Sequence, residues 1–575
     1  MRADAPPKRT IGALWRRAVA DERSFPAYLV EADSGWREMD WEEAERRVDE
    51  LANGLLALGI RKGDSVGLLG RTRVEWGLLD FALALVGGVT APLYADSSAG
   101  EWAYALDLVG AVAVFADESL RGAVEEAVGG DPRMRHLLSL DELDDLAARG
   151  REYAADHPDA LAEAESAVAE DDLYTFIYTS GTTGPPKACT ILHRNYFEMA
   201  ATVDRVEELT VRGDLLLLYL PLAHNFGRLL HLLGAYEGYT IAFLRDALRT
   251  PEALTEVRPT VLPSVPRLYE KVHTRIQAQF DEARGMRRRL IDWALAVGNE
   301  ASPYKRRGRS LPMGLTARHA LAKRLLYSRV KKRLGGRLRL AVSGGAPLAP
   351  EIGEFFLALD ILILEGYGLS ECTTACAVNR PGRVKFGTVG PPLPGFEVRI
   401  AEDGEILIRS ETVFAGYYGD EDATRAVLDA DGWLHSGDVG AIDDEGFLRV
   451  TDRKKDIIVT AGGKNVAPQN LENALKSTKL ISQALVIGDR RPYVSALVTL
   501  DAEQSDGLSE AEVREAVQAI VDSVNEGRAR YEQIKRFTTL PREFSAAEGE
   551  VTPTLKLRRR VCEEHFAAEI EKLYS

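Results

Sequence analysis

The stretch Leu173-Tyr-Thr-Phe-Ile-Tyr-Thr-Ser-Gly-Thr-Thr-Gly-Pro-Pro-Lys187 begins as an apolar β-strand and continues into small hydroxyl and glycine residues. The polar loop residues after the strand are Thr179, Ser180, Gly181, Thr182, Thr183 and Gly184. Glycines let main-chain N–H groups approach an anion closely, and the hydroxyls can donate further hydrogen bonds. Lys187 adds a positive charge, so the pattern predicts a phosphate-holding loop at the end of a strand.

This loop is not a Walker A motif. That motif needs Gly-Lys followed by Ser or Thr at the start of a helix, whereas Pro185 and Pro186 precede Lys187 and Ala188 follows it. Two prolines remove two main-chain donors and resist an immediate helix, which argues against a P-loop kinase or ATPase. Taken alone, the segment could also be a turn that binds no ligand.

Short β-type runs alternate with helical patterns over most of the chain. Further β-type runs occupy residues 66–70, 112–116, 215–220, 240–244, 338–343 and 361–364, and residues 41–58 carry apolar side chains at helical spacing. This alternation predicts an α/β fold with largely parallel sheets. After about residue 398 turn-rich runs that include Glu405–Arg409 predict a small antiparallel β region, and a compact α+β unit with a helix over 510–524 follows Asp452. We predict an amino-terminal domain of several subdomains over 1–451 and a smaller domain over 452–575.

Composition sets the broad class of the protein. The 575 residues include 88 acidic and 72 basic side chains, for a net charge of −16, with 45% hydrophobic and 28% charged residues. These values are typical of globular proteins and disfavour nucleic acid as the main partner. Four cysteines form neither a disulfide framework nor a zinc motif, and no secretory signal or spanning segment is apparent. We therefore expect a reducing, cytoplasmic location.

Residues 281–340 depart from this acidic average. They hold 17 basic and four acidic side chains, and their apolar residues recur at helical spacing. One predicted helical face carries Met286, Leu290, Trp293, Ala294 and Val297, and a second carries Leu321, Leu325 and Leu326. Basic amphipathic helices can lie against anionic lipid, which would place the protein peripherally at the inner face of the membrane. A solvated helical hairpin that covers the core is the other interpretation.

Further motifs follow the phosphate loop in a fixed order. They are Glu365-Gly-Tyr-Gly-Leu-Ser-Glu371, His435-Ser-Gly-Asp438, Asp452-Arg-Lys-Lys-Asp456 and Thr552-Pro-Thr-Leu-Lys-Leu557. Together with the loop they resemble the signature elements of the adenylate-forming superfamily, which unites acyl-CoA synthetases, peptide synthetase adenylation domains and firefly-type luciferases. Ser370 stands where this family usually has Thr, and the hydroxyl is retained. Ala223-His-Asn-Phe226 and Ser343-Gly-Gly-Ala-Pro347 also fit the family pattern.

The resemblance assigns a nucleotide site. The residues it assigns to ATP or AMP are Thr179, Ser180, Gly181, Thr182, Thr183, Gly184, Lys187, Gly345, Ala346, Glu365, Gly366, Tyr367, Gly368, Ser370, Asp438 and Arg453. The ring of Tyr367 suits stacking on adenine, and the carboxylate of Asp438 suits two ribose hydroxyls, with Arg453 as a second donor. Thr183 and Glu371 would hold Mg²⁺, a hard ion that prefers such oxygens among phosphates.

The resemblance also assigns the reactive residues. Lys556 would offset the repulsion between a carboxylate and the α-phosphate of ATP and stabilise the in-line transition state. His224 would position the acyl carboxylate and would not act as a base, because a carboxylate is already deprotonated at neutral pH. Asp452 would be the hinge, and Gly462, Gly463 and Lys464 would build the CoA site once the carboxy-terminal domain has rotated.

Within the superfamily, the segment from Asp452 to Pro468 and the basic insertion look most like the long-chain fatty acyl-CoA synthetase branch. The resemblance therefore implies an AMP-forming ligase that activates a fatty acid of medium to long chain with MgATP and transfers it to CoA. Residues 229–234 could line an acyl tunnel or form a core helix. A carrier-protein thiol as acceptor is the nearer alternative, and a non-catalytic lipid- or nucleotide-binding homologue is the more distant one. The sequence carries no sign of the oligomeric state.

Overall fold

The computed structural model describes residues 8–32, 35–179, 186–545, 548–552 and 557–575. The helices are α1 (Ile11–Ala20), α2 (Trp41–Ala57), α3 (Val74–Val86), α4 (Ala99–Leu108), α5 (Glu118–Val128), α6 (Leu143–Asp156), α7 (Ala160–Ala167), α8 (His193–Asp204), α9 (Asn225–Leu233), α10 (Thr250–Val257), α11 (Pro266–Asp281), α12 (Gly285–Arg306), α13 (Met313–Ala322), α14 (Ser328–Arg333), α15 (Pro350–Ala358), α16 (Glu421–Val427), α17 (Pro468–Lys476), α18 (Ala502–Ser505), α19 (Glu510–Asn525), α20 (Arg559–His565) and α21 (Ala567–Tyr574).

The strands run through the whole chain. They are β1 (Tyr28–Ala32), β2 (Gly35–Met39), β3 (Ser65–Leu69), β4 (Val89–Leu93), β5 (Ala113–Ala116), β6 (His136–Ser139), β7 (Leu173–Thr179), β8 (Lys187–Leu192), β9 (Leu215–Leu218), β10 (Thr240–Phe243), β11 (Val261–Ser264), β12 (Leu340–Ser343), β13 (Ile363–Tyr367), β14 (Ala377–Val378), β15 (Glu397–Ile400), β16 (Glu405–Arg409), β17 (Leu434–Ile442), β18 (Leu448–Arg453), β19 (Ile458–Val459), β20 (Asn465–Val466), β21 (Ile481–Ile487), β22 (Val494–Leu500) and β23 (Ile534–Thr539).

Two large sheets form the amino-terminal part. One has the order β14-β13-β12-β11-β9-β10-β1-β2 and the other β6-β5-β3-β4-β7-β8. Neighbouring strands are parallel except at the edges, where β13 with β14, β1 with β2 and β7 with β8 are antiparallel. The predicted α/β class with mostly parallel sheets is confirmed. Parallel strands end at a common edge, which is where such folds bind ligands.

Local chemistry explains where several helices begin. Asp40 accepts a hydrogen bond from the N–H of Glu43 at the start of α2, and Ser98 and Glu101 form a reciprocal capping box at the start of α4. Helix α3 is buried on nearly all sides and is followed by β4, as the apolar run over 81–95 suggests. Between the sheets the fully buried guanidinium of Arg228 pairs with Asp80, which ties α9 to α3.

A small antiparallel sheet packs in the amino-terminal core, and the carboxy-terminal unit that follows it has a core of its own. The four-stranded sheet β15-β16-β17-β18 is antiparallel, as the change of pattern after residue 398 predicts. Beyond it, β21, β22 and β23 form a three-stranded sheet that packs on α17 and α19. None of the described helices has the length and apolar character needed to cross a membrane.

The predicted faces of the basic segment are wrong in part. Met286 is 86% exposed and Leu321 is 49% exposed, although both were assigned to apolar faces. The buried stripe of α12 keeps Ala294 and Val297 of the predicted face and adds the small residues Gly298 and Ala301. A side chain at position 298 would collide with the main-chain oxygen of Ala358, so α12 approaches α15 too closely for large residues to form the contact. Size, and not hydrophobicity alone, selects this face.

Candidate active site

A single cavity of about 2430 Å³ lies between the two parts of the chain. Its walls come from strand ends of both large sheets, from the antiparallel sheet, and from the carboxy-terminal unit. A volume of this size exceeds a typical small-molecule pocket of roughly 300–1,000 Å³. It can therefore hold a nucleotide together with a second, extended ligand.

The phosphate-loop prediction falls largely outside the described residues. Strands β7 and β8 bring Thr179 and Lys187 to the cavity wall as antiparallel neighbours. The residues between them that were assigned to the phosphates, Ser180, Gly181, Thr182, Thr183 and Gly184, lie outside the part of the chain that the structure describes. The ammonium nitrogen of Lys187 lies 3.5 Å from a carboxylate oxygen of Asp420 and 5.1 Å from the ring centre of Tyr417.

Tyr417 links two predicted site residues. Its hydroxyl donates a 2.7 Å hydrogen bond to Oε1 of Glu371, while its ring faces Lys187. Burial, together with the charge of Glu371, raises the pKa of the Tyr417 phenol, so this group remains a hydrogen-bond donor at neutral pH. The contact orients one carboxylate oxygen of the predicted Mg²⁺ ligand.

The second signature forms a wall next to the phosphate region. Residues Gly345 and Ala346 follow β12, and Glu365, Gly366, Tyr367, Gly368 and Ser370 run from β13 into the next turn; all of them line the cavity. Because β12 and β13 are parallel neighbours, their carboxyl ends meet at one edge. Gly345 has a φ of +84°, a conformation that glycine adopts at little cost.

Gly368 is required by the protein itself. A Cβ at this position would lie 1.8 Å from the main-chain oxygen of Thr374, so no other residue fits. Close approach to adenine, the reason inferred from sequence, is therefore not the only demand on this glycine. Thr373 and Thr374 both have positive φ values, which shows that the loop after Glu371 is tightly folded.

Glu365 is a buried acid in this wall. Its Oε1 accepts a 3.1 Å hydrogen bond from the N–H of Leu348. Burial raises the pKa of Glu365 to about 8, so its carboxyl group carries a proton at neutral pH. A neutral carboxyl group can donate a hydrogen bond as well as accept one.

The predicted ribose residues are already connected to each other. The hydroxyl of Tyr367 donates a 2.6 Å hydrogen bond to Oδ2 of Asp438, and Nε of Arg453 lies 3.4 Å from Oδ1. The side chain of Asp438 is 8% exposed and lines the cavity. Tyr367 and Arg453 therefore hold the carboxylate of Asp438 in one orientation before a sugar binds.

His224 caps the helix that borders the acyl side. Its Nδ1 accepts a 3.1 Å hydrogen bond from the N–H of Phe226 in the first turn of α9. An accepting Nδ1 places the proton of a neutral imidazole on Nε2. That His224 positions a carboxylate stays a prediction.

Helix α9 has one face toward the cavity and one toward the core. Leu229, Leu230 and Leu233 line the cavity, whereas Leu232 is fully buried and His231 packs beside Tyr28 and Phe81. Residues 229–233 therefore form a core helix on one side and border the cavity on the other, and the acyl tunnel stays a prediction. The apolar branch continues to Val203, Leu209 and Leu216.

The carboxy-terminal unit reaches the same cavity. Lys556 lies outside the described residues, but Thr552, Leu557 and Arg558 on either side of it in the sequence line the cavity. The guanidinium of Arg558 lies 3.5 Å from the carboxylate of Glu101 on α4. The carboxy-terminal unit therefore contributes Thr552, Leu557 and Arg558 to the same cavity as the predicted nucleotide residues.

The predicted hinge and CoA residues occupy different surroundings. Asp452 is 3% exposed and accepts hydrogen bonds from the N–H groups of Arg453 and Gln469, so it fastens β18 to the start of α17. Burial raises its pKa to about 6. Gly462, Gly463 and Lys464 form an exposed turn between β19 and β20 and do not border the cavity.

Sequence reasoning missed three residues of this site: Tyr417, Asp420 and Glu101. None stands in a motif, and each meets its partner across at least 46 residues of chain. The nearest sequence signal is the acidic N-cap position of Asp420 before α16. The contacts of Tyr417 and Asp420 become visible only when β8 pairs with the segment around Tyr417, and that of Glu101 only when α4 meets Arg558.

Comparisons with known proteins agree with this geometry. Residues 15–418 match the family model described as AMP-binding enzyme, and residues 455–575 match the model described as AMP-binding enzyme C-terminal domain. The long-chain-fatty-acid–CoA ligase FadD15 of Mycobacterium bovis is 38% identical over 580 residues, which cover 96% of each chain. The long-chain-fatty-acid–CoA ligase ACSBG2 of Xenopus laevis is 30% identical, over 99% of this chain and 84% of its own.

Solved structures share the fold over the whole chain. The adenylation domain of a carboxylate reductase from Mycobacterium chelonae superposes with a TM-score of 0.77 at 25% identity, over 99% of this chain and 92% of its own. Its likeness extends across both the large sheets and the carboxy-terminal unit.

Proposed function

The chain belongs to the AMP-binding enzyme family, and from that premise we propose that it is an AMP-forming ligase that joins long-chain fatty acids to CoA. Its near full-length relatives carry the name long-chain-fatty-acid–CoA ligase. ATP and CoA are its co-substrates. The observation that carries the proposal is the continuity of one cavity from the apolar face of α9, past His224, to the nucleotide wall.

The geometry supports adenylation as the first step. An acyl chain in the apolar branch would bring its carboxylate to the Nε2–H of His224 at the head of α9. A carboxylate oxygen attacks the α-phosphorus of ATP, and pyrophosphate leaves with the electron pair of the broken P–O bond. Lys556 stabilises the charge that develops on the phosphoryl oxygens, and Asp438 with Arg453 holds the ribose.

Thioester formation is the second step. The CoA sulfur attacks the carbonyl carbon of the acyl adenylate, its proton is lost to solvent, and AMP leaves. The exposed turn of Gly462, Gly463 and Lys464 lies away from the cavity in the arrangement described above. We propose that rotation about Asp452, with a domain boundary at 451/452, brings this turn to the cavity as the Lys556 segment withdraws.

Mg²⁺ is proposed as the metal of the first step. The carboxylate of Glu371 borders the cavity beside Lys187 and Tyr417, and carboxylate with phosphate oxygens is the ligand set that Mg²⁺ prefers. Among the described residues no group of three or more His, Cys, Asp or Glu side chains could enclose a metal. Thr183 is the second protein ligand predicted for this ion.

A pyrophosphate-release assay tests the activity. The full-length protein is given MgATP and a series of carboxylic acids, first without a thiol, then with CoA, and then with a phosphopantetheinylated carrier protein. We expect release with fatty acids of medium to long chain and acyl-CoA formation with CoA. Turnover only with the carrier would favour carrier loading, and no pyrophosphate release with any acid would reject adenylation.

Lys556→Ala tests whether this lysine acts in adenylation and not in thioester formation. Because the ammonium group acts on the pentavalent phosphorus, we expect adenylate formation to fall by about 10² or more, while thioester synthesis from pre-formed acyl adenylate persists. Lys572→Ala, on the surface of α21, is the matched control. Equal loss of both half-reactions would contradict the assignment.

The basic segment 281–340 is proposed as a peripheral contact with an anionic membrane on the cytoplasmic side. Met286 and Met313, which lie among its basic residues, are 86% and 91% exposed. Basic side chains can bind anionic headgroups while exposed apolar side chains insert between the lipids. Co-sedimentation with anionic vesicles should exceed that with neutral vesicles and fall with salt. Met286→Ser with Met313→Ser should weaken it, whereas Leu248→Ser, 87% exposed elsewhere, should not.

A further inference from the structure

The ion pair between Arg228 of α9 and Asp80 of α3 is closed off from solvent, since both side chains are 0% exposed. Nε of Arg228 donates a 3.0 Å hydrogen bond to Oδ2 of Asp80, and Nη2 donates to Oδ1. Burying two charges is costly, and well-packed hydrophobic residues of similar volume often give the same or greater stability. Stability alone therefore does not account for this pair.

Arg228 belongs to the first turns of α9, directly behind the residue that begins the helix at the cavity. Its N–H donates a 3.1 Å hydrogen bond to the carbonyl oxygen of His224. A Cβ at Gly227 would lie 2.5 Å from the carbonyl oxygen of Pro221, so this part of the helix also packs tightly on the segment before it. The Arg228 side chain thus connects the cavity end of α9 to the protein interior.

The same ion pair is bonded to β7, the strand that reaches the cavity wall at Thr179. Nη1 of Arg228 donates a 2.5 Å hydrogen bond to Oγ1 of Thr175. The hydroxyl of Tyr174 donates a 2.6 Å hydrogen bond to Oδ2 of Asp80, and its ring centre lies 4.6 Å from the guanidinium carbon of Arg228. Both members of the pair therefore hold β7 as well as α9.

Under the proposed function, α9 and β7 border the places of the two substrates that react with each other. His224 at the head of α9 and Thr179 at the end of β7 both line the cavity. Arg228 is about 6 Å along the helix from His224. Thr175 is about 13 Å along the strand from Thr179. A shift of α9 against β7 at the ion pair would therefore change the distance between the acyl carboxylate and the nucleotide.

We propose that Arg228, through its two-point contact with Asp80 and its hydrogen bond to Thr175, is a positioning residue that sets the spacing between the acyl carboxylate and the nucleotide. The inference rests on the proposed function, because it concerns the joining of those two substrates. The guanidinium is fully buried, so it acts through α9 and β7. Its planar set of donors suits this role, because such hydrogen bonds fix an angle as well as a distance.

Arg228→Lys tests the inference, because it keeps the positive charge but removes the planar two-point contact. Since a misplacement of about 1 Å can cost roughly 10²-fold, we expect kcat for pyrophosphate release to fall at least about tenfold, with KM for ATP little changed. Thioester synthesis from pre-formed acyl adenylate should stay near the wild-type rate, because the acyl group and AMP are already joined by a covalent bond. A residue needed only for folding would lower both half-reactions together.

Thr175→Val is the milder variant and decides the question if Arg228→Lys does not fold. It removes the acceptor of Nη1 of Arg228 and keeps both the side-chain size and the ion pair. We expect a selective loss of adenylation of about threefold or more. Thr240→Val is the matched control, because it removes a buried hydroxyl that donates at 2.6 Å to the carbonyl oxygen of Pro26, from a strand of the other large sheet. It should lower the melting temperature similarly and keep the adenylation rate.

The wild-type assay separates this inference from the proposed function. If the full-length wild-type protein releases no pyrophosphate with any carboxylic acid, the proposed function fails before a variant is compared. If the wild type is active and both Arg228→Lys and Thr175→Val keep its kcat, the proposed function stands and the inference is overturned. Equal loss of both half-reactions in these variants, with a lowered melting temperature, would likewise reduce Arg228 to a folding role.

Discussion

At the scale of single residues, Glu365 links pH to stability. Its folded pKa of about 8 lies above the ordinary glutamate value, so between about pH 4.5 and pH 8 the folded chain binds a proton that the unfolded chain releases. Stability from this group is greatest at low pH and is lost as pH rises through that window. Glu365→Gln, neutral at every pH, should be more stable than wild type by about 4 kcal/mol at pH 8 and similar to it near pH 4.5.

Chemical denaturation of both proteins at several pH values measures this difference. Glu354→Gln, an exposed position on α15, is the control and should follow the wild-type curve. Parallel stability curves for wild type and Glu365→Gln would show that Glu365 is ionised in the folded protein at neutral pH.

Tyr417 is a second single residue with a testable effect, because it contacts the proposed metal ligand Glu371. Tyr417→Phe removes the hydroxyl that donates to Glu371 at 2.7 Å, and a hydrogen bond to a charged group contributes about 1.5–3 kcal/mol. We expect the Mg²⁺ concentration for half-maximal pyrophosphate release to rise roughly tenfold. Tyr418→Phe is the control, since Tyr418 is 42% exposed. If the Mg²⁺ dependence were unchanged, Tyr417 would have no influence on metal binding.

At the scale of elements, α9 carries the acyl end of the site. From His224 to Leu233 the helix advances about 13 Å at 1.5 Å per residue. A larger side chain at its far end should block long chains before short ones. Leu233→Phe should therefore lower kcat/KM most for the longest fatty acids, measured as the ratio between long-chain and medium-chain substrates.

The opposite face of α9 supplies the control. Leu232 is fully buried in the core, so Leu232→Phe should lower the melting temperature through overpacking and leave the chain-length ratio unchanged. A shift of that ratio by Leu232→Phe but not by Leu233→Phe would place the acyl branch elsewhere.

At the scale of the whole molecule, the ion pair between Glu101 and Arg558 favours the arrangement in which Leu557 and Arg558 border the cavity. The two groups are 3.5 Å apart and about one third exposed, so the pair contributes at most about 1 kcal/mol. Glu101→Arg should slow adenylation about threefold, and the swap Glu101→Arg with Arg558→Glu should restore it. Pyrophosphate release at low ionic strength measures the rate of both variants. If the swap did not restore the rate, the ion pair would not influence which domain arrangement is populated.

Much of the fold followed from local pattern. The strand over Leu173–Thr179 and the antiparallel strand over Glu405–Arg409 were predicted with the bounds that the structure has. The predicted bounds of α2 and α19 agree with the observed bounds within a residue or two. These segments were predictable because their hydrophobic periodicity is strong and their ends carry caps or turns.

A ligand group could also be predicted for each motif of the nucleotide wall, because each motif is contiguous and its residue types suit a particular ligand group. Family membership and fold class, inferred from those motifs in order, are confirmed. The individual roles of the site residues stay predictions. Where Tyr417 meets Glu371 and which face of α9 borders the cavity were decided by tertiary structure alone. Those contacts join strands and helices from distant parts of the chain. The local spacing of residues does not predict which side chains such packing brings within hydrogen-bond distance.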